Sequence, residues 1–466
     1  MKKAWKREHE LFKNSQPVVL SDDEQNWDFA GEVEKMEDIF LGMKWFSNVP
    51  GSGAPERVIL GAIQAVENLG FDTRDAEKLI DEGLKAHEVG DFIALNKITA
   101  RIWKILNEAP KNNQSDYWQH PIYDAFETIE RDAIFPRAIP VDTRADVFRT
   151  QTYLAWQAQI VGGAFGTALE GYTSDNLKKA FGDVRDYVRK PNTYNDDITY
   201  EIAFLDAFVE SGYHVESHEI AEAWVARVPF GWSAEEWALK NIKMGIYPPR
   251  SGIENNPYRE WIGAQMRGAI CGMVAPGNPM LAAKLAFIDG RVSHYNNGIL
   301  GEVFNAVLLS LAYVETDVRT ILKKAIDCIP SDAQYRAVLD WAIKQCETHD
   351  TWQEAWAAAD TRFERYNWIH SYPNAAAEVL ALWYGKGDFD ETLHIVGMAG
   401  YDVDCNAAQI MPVIAIINQS IPSRWTEPFG DRLDTYVRGM KQTTISALTE
   451  RTINAIHRAQ NKPNSH

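Results

Sequence analysis

The spacing of apolar residues restricts the fold more than any other feature of this chain. Apolar side chains recur three and four residues apart in "DAEKLIDEGLKAHEVGDFIALNKITARIWKILNEA", "HEIAEAWVARV", "GEVFNAVLLSLAYVE", "AQYRAVLDWAIKQCE" and "TTISALTERTINAIHRAQ". That is the period of a helix with one buried face. Alternating, strand-like runs are scarce, so the predicted fold is all-α. In "RDAIFPRAIPVDTRADVF", Pro136 and Pro140 interrupt the helical pattern before a long segment rich in Ala and Gly. This break predicts a boundary near residue 140, between a helical N-terminal region (1–140) of unassigned role and a core of domain size (141–466). The closing "NKPNSH" reads as a frayed tail.

Charge and cysteine usage exclude several function classes. Asp and Glu outnumber Lys and Arg by 65 to 47, for a formal charge of -18. No basic stripe tracks along the sequence, which argues against duplex nucleic acid as a partner. An anionic ligand then needs local help from a metal ion, a helix N-terminus or a placed Arg. Four scattered cysteines (Cys271, Cys328, Cys346, Cys405) without CxxC spacing, and an N-terminus without an apolar signal core, predict a reducing, cytoplasmic setting. No apolar run is long enough for a membrane span.

Three segments bring acids to helix ends or glycine-rich bends. In "YNDDITYEIAFLDAFVE", Asn195 is placed as an N-cap, with Asp196 and Asp197 in the first turn and Ile198, Ile202, Leu205 and Val209 on one face. Acids favour a helix N-terminus whatever a protein does, so that placement is not by itself a site. In "GYDVDCNAAQIMPVIAII", Asp402 and Asp404 precede a helix predicted to begin near Asn406, with Pro412 as a source of a kink. Residues two apart on an extended lead-in would point the same way. In "QIVGGAFGTALEGY", Gly162, Gly163 and Gly166 permit close backbone approach, and Glu170 follows. Five carboxylates gathered in one place would repel each other and call for a cation, and oxygen ligands suit Mg²⁺, Mn²⁺ or Ca²⁺.

The ordered motifs "GGAFGTALE", "NDDIT", "SHYNNGILGE" and "DVDCNAA", spread over residues 150 to 420, resemble the ADP-ribosylglycohydrolase family, which includes dinitrogenase reductase-activating glycohydrolase and the ADP-ribosylarginine hydrolases. The chain looks like a bacterial branch with an N-terminal extension. The resemblance implies an orthogonal all-α bundle around two Mg²⁺ ions, with Mn²⁺ as the alternative. It implies Glu170 and Asp197 as catalytic residues, and Asn195, Asp196, Asp197, Asp402, Asp404 and Cys405 around the metal. His294, Asn297, Gly298, Tyr372 and Asn374 are the expected substrate contacts. Asn195 and Cys405 both stand where the family usually has Thr, Thr167 where it commonly has Asp, and Ile198 where it has Thr.

The activity implied is hydrolysis of the glycosidic bond between ADP-ribose and a protein side chain, arginine first. The partners are then an ADP-ribosylated protein or ADP-ribose itself. Two alternatives stand beside it. One is a binding or immunity protein that neutralises an ADP-ribosyltransferase toxin, and the other a hydrolase of another ribosyl compound. His214 and His218 lie one helical turn apart but lack the HExxH pattern, and Arg250, Arg259 and Arg267 flank "ENNPY" as candidate pyrophosphate contacts.

Overall fold

The computed structural model of the chain describes residues 1–25 and 28–461, so residues 462–466 of the expected tail lie outside it. The chain divides into two compact units, Met1–Lys44 and Trp45–His466. In the first, the helix Ala4–Asn14 buries no residue. The second unit holds the core.

Helices dominate the large unit, as the periodicity predicts, and the described strands amount to two short antiparallel pairs, 47–48 with 55–56 and 432–434 with 442–444. Seven helices build the part that matters for function: α1 (Asp146–Gly166), α2 (Asp196–Ser211), α3 (Asn297–Ala312), α4 (Ser371–Gly385), α5 (Phe389–Ala399), α6 (Val403–Asn418) and α7 (Ile445–Asn461). Every residue of α3 is buried, which is what its nearly unbroken apolar composition demands. α6 is buried from Val403 to Ile416 and runs through Pro412 without ending.

Small residues set the closest contact of the bundle. α1 lies along α6 because a side chain at Gly162 would meet the Ala407 carbonyl carbon at 2.5 Å, and one at Gly166 would fall on the Asp404 backbone. Glycine costs a helix about 1 kcal/mol, and here it brings two backbones together.

The division expected near residue 140 is not where packing breaks. Residues 45–140 share a unit with the rest: the Tyr258 hydroxyl donates to the Val58 carbonyl (2.9 Å), and the Tyr117 hydroxyl to Glu260 (2.8 Å). Ile139 N–H donates to the Gly277 carbonyl (2.8 Å), so the Pro136–Pro140 stretch is a pinned connector. Proline ends a helix for local reasons and does not report where a core ends.

Candidate metal centre

α1 ends at Gly166, and the chain turns through Thr167 to Glu170, whose N–H donates to the Gly166 carbonyl (3.0 Å). A pair of backbone bonds then ties this turn to the start of α6: Gly171 N–H to the Tyr401 carbonyl (2.8 Å) and Tyr401 N–H to the Tyr172 carbonyl (3.0 Å). The tie requires left-handed backbone at Gly400 (φ 76°) and Tyr401 (φ 64°). For a bulky residue such as Tyr401 that conformation is strained, and strain of this kind clusters at functional sites. Its effect is to set Glu170 beside Asp402 and Asp404.

α6 begins earlier than the sequence suggested, at Val403 and not near Asn406. Asp402 is therefore its N-cap and Asp404 lies in its first turn. The two carboxylates converge through helix geometry and not through an extended lead-in. α2 starts as expected, with Asn195 as N-cap and Asp196 and Asp197 following. The Asn195 side chain does not cap the helix, however. Its Nδ2 donates to Asp404 Oδ2 (3.4 Å), and a side chain at Gly163 would come within 2.7 Å of that nitrogen.

The acids form two overlapping groups. Ligand atoms of Glu170, Asp402 and Asp404 lie within 4.8 Å of one another, as do those of Asp197, Asp404 and Cys405, so Asp404 belongs to both. All five of these residues are buried, and Asp197 is completely so. Asp196 is half-buried at the edge.

Burial raises every acid of this centre, and neighbouring carboxylate charge adds to it at Glu170, Asp196, Asp197 and Asp402. Glu170 and Asp402 are held well above the usual carboxylate range, with Asp404 the main charged neighbour of each. For Asp197 the charge comes first from Asp196, and Asp196 itself is pushed up to about 6. Burial also raises the Cys405 thiol, helped by Asp197 and Asp402.

The donor set fits a divalent cation. Both carboxylate oxygens of Asp197, Oδ1 of Asp402, Oδ1 of Asp404 and Oδ1 of Asn195 are buried without a hydrogen-bond partner. Buried polar atoms are normally satisfied, and several convergent orphan oxygens are the pattern a hard cation completes. The N-termini of α2 and α6 offset part of the negative charge but not all of it.

The five expected substrate contacts are interior residues. Asn374 braces the acid cluster: its Oδ1 accepts from Asp402 N–H (3.1 Å) and Asn406 Nδ2 (2.8 Å), while its Nδ2 donates to the Trp368 and His370 carbonyls. Tyr372 is 2% exposed, packed among Tyr335, Tyr366 and His370, and leaves no open ring face for adenine. Asn297 binds Glu260 through Nδ2 and receives the Tyr335 N–H. Gly298 is pressed against the Arg259 carbonyl.

His294 is also enclosed. Its Nδ1 faces Ser293 Oγ at 2.7 Å, and burial followed by the charge of Arg267 holds the imidazole well below its ordinary value. Arg267 itself is 1% exposed and lies among Asp289, Glu235 and Glu302, so it does not reach a pyrophosphate. His214 and His218 are exposed, and His218 faces Glu216.

Residues 146–462 match the sequence model of the family described as ADP-ribosylglycohydrolase. The chain belongs to the ADP-ribosylglycohydrolase family. An uncharacterized protein of Archaeoglobus fulgidus is 24% identical over 293 residues, covering 58% of this chain and 89% of the relative. A solved structure, an ADP-ribosylglycohydrolase-related protein complex, aligns over 68% of this chain and 99% of its own at 18% identity and a TM-score of 0.47. Membership of the ADP-ribosylglycohydrolase family supports a glycohydrolase activity, and the buried acid groups lie inside the matched segment. Among the described residues no helix is long and apolar enough to cross a membrane.

Two residues at the centre carried little signal in the sequence. Asn406 supports Asn374, and its position four residues after Asp402 on one helix face could have marked it. Met266, whose Sδ lies 3.8 Å from Cys405 Sγ, comes from a segment more than a hundred residues away.

Proposed function

We propose that the chain is a metal-dependent hydrolase that removes ADP-ribose from a modified protein side chain, arginine first, by cleaving the bond at the anomeric carbon of the ribose. The observation that carries this reading is the convergence of two buried acid groups on Asp404, within a segment of known glycohydrolase family. Asp196, Asp197, Asp402 and Asp404, with the Asn195 carbonyl oxygen and Cys405, would hold the ions. A bound divalent cation polarises ribose hydroxyls and neutralises the gathered carboxylates.

Glu170 stands at the end of the acid set and handles the water. Its carboxylate takes a proton as the water oxygen attacks the anomeric carbon, the bond from that carbon to the side-chain nitrogen breaks, and the same proton passes from Glu170 to the departing nitrogen. Asp197 holds its end of the centre and orients the ribose in the same step. Asn374 fixes the backbone from which Asp402 projects.

The test is release of free ADP-ribose from an arginine-linked ADP-ribosylated protein, with Mg²⁺ and with chelator, beside Glu170→Ala and Asp402→Ala. Metal-dependent release lost in both variants is the expected result. Release from a serine-linked substrate alone moves the linkage. Absence of release from both overturns the hydrolase reading.

A further inference from the structure

The two overlapping acid groups differ in chemistry. Glu170, Asp402 and Asp404 offer only oxygen, whereas Asp197, Asp404 and Cys405 offer two carboxylates and a sulfur. A second sulfur, Met266 Sδ, lies 3.8 Å from Cys405 Sγ. The pair is enclosed, with Cys405 5% exposed and Met266 3%.

The cysteine does not stand alone. Asp197 is fully buried, neither of its carboxylate oxygens has a hydrogen-bond partner, and it belongs to the same group as the thiol. Asp404 Oδ1 is likewise buried without a partner. Two carboxylates with unpartnered oxygens and one sulfur within mutual reach make three ligands of a four-coordinate ion, the arrangement borderline ions such as Zn²⁺ and Co²⁺ favour. A Mg²⁺ ion gains little from sulfur and demands octahedral oxygen.

We propose that the two ion positions are not equivalent: the Asp197–Asp404–Cys405 position takes a sulfur-tolerant transition ion of the Zn²⁺ or Co²⁺ class through Cys405 Sγ, and the Glu170–Asp402–Asp404 position takes a hard ion such as Mg²⁺. This rests on the metal-dependent reading above and adds a selectivity particular to this chain. On ligation the thiol proton leaves to solvent and Cys405 binds as thiolate, with no change of oxidation state.

The experiment uses the full chain, stripped of metal, and Co²⁺ as probe, with calorimetry for binding and near-ultraviolet absorption for sulfur-to-cobalt charge transfer. The expected result is a charge-transfer band that saturates with Co²⁺, is displaced by Zn²⁺ and not by equal Mg²⁺, and disappears in Cys405→Ser. Co²⁺ or Zn²⁺ affinity should drop by at least roughly tenfold in that variant. Cys405→Thr, which restores a hydroxyl, guards against misfolding of the Ser variant: it is expected to retain Mg²⁺-induced thermal stabilisation while losing the band.

Co²⁺ binding without the band overturns sulfur ligation and leaves the metal-dependent reading intact. A band that survives in both variants also overturns it, because another cysteine is then the ligand. Absence of any Co²⁺, Zn²⁺ or Mg²⁺ binding overturns this proposal and the metal-dependent reading together.

Discussion

Gly166 and Asp404 touch backbone to backbone. A methyl group placed on Gly166 would fall on the Cα and N of Asp404, the residue common to both acid groups. The packing of α1 on α6 and the position of the shared acid are therefore one feature. Gly166→Ala forces the helices apart, and overpacking of a core typically costs 1–3 kcal/mol. The variant is expected to melt lower than the parent and to lose most of its stabilisation by divalent ions. Gly182→Ala is a control that meets nothing nearby but sits at φ 71°, so it should lose stability and keep the ion response. Equal ion responses in the two variants would disconnect the helix contact from the site.

Cation dependence separates the acids from one another. Millimolar Mg²⁺ should raise the melting temperature of the metal-free protein by mass action. Asp404→Asn removes one of the crowded charges, so its metal-free form should be at least as stable as the parent, while its response to every divalent ion vanishes. Asp402→Asn should weaken the response without abolishing it, since Asp197, Asp404 and Cys405 remain. Thermal melts with and without ion decide this, and an unchanged response in Asp404→Asn would remove Asp404 from both groups.

Arg267 neutralises a buried patch. Its guanidinium lies against Asp289 and Glu235, with Glu302 at 3.8 Å, and stacks over Trp224 at 4.8 Å. Removing one partner of a buried charge pair costs about 3–5 kcal/mol because the other charge is stranded. Arg267→Met should therefore lower the denaturant midpoint sharply even though Met fills similar space. A loss under about 1 kcal/mol would mean that the facing acids are held neutral without it.

Glu378 gives stability a pH dependence of known sign. Its Oε1 accepts from Gln265 and Asn305, both at 3.1 Å, Oε2 has no partner, and burial pushes it up to about 8 from an ordinary 4.5. The folded state thus keeps a proton that the unfolded state releases. The contribution is fully present below about pH 4.5 and is lost as pH rises through about 8. Glu378→Gln should flatten stability over that window and stand above the parent at its alkaline end. Parallel profiles for the two proteins would contradict the assignment.

Asn374 acts through Asp402. Asn374→Ala removes the acceptor for Asp402 N–H and Asn406 Nδ2, both of which are buried. Each buried donor left unpaired costs about 1–3 kcal/mol. Ion affinity should fall along with stability, and Asn374→Asp, which keeps an acceptor, should restore part of the ion affinity. Failure of Asp to restore any would limit Asn374 to packing.

Much of the fold was readable along the chain. The three- and four-residue spacing dictated helices, and the small residues at 162, 163 and 166 announced a close approach. Acids at the first turn of α2 were legible because a helix N-terminus attracts them and an N-cap residue marks the place. The break near residue 140 lies next to the start of the family match at residue 146, yet residues 45–140 pack into the same compact unit, because prolines at 136 and 140 report local geometry and not where packing ends.

The sequence by itself determined which residues form helices and which donor types lie at their ends, since periodicity and capping depend on neighbours within a few positions. Only the tertiary structure decided which ends meet. It brought Gly166 onto Asp404, turned Asn195 away from its own helix, buried His294, Asn297 and Tyr372, and set Met266 beside Cys405. These are contacts between residues distant in sequence, fixed by how helix surfaces fit together, and no local pattern encodes them.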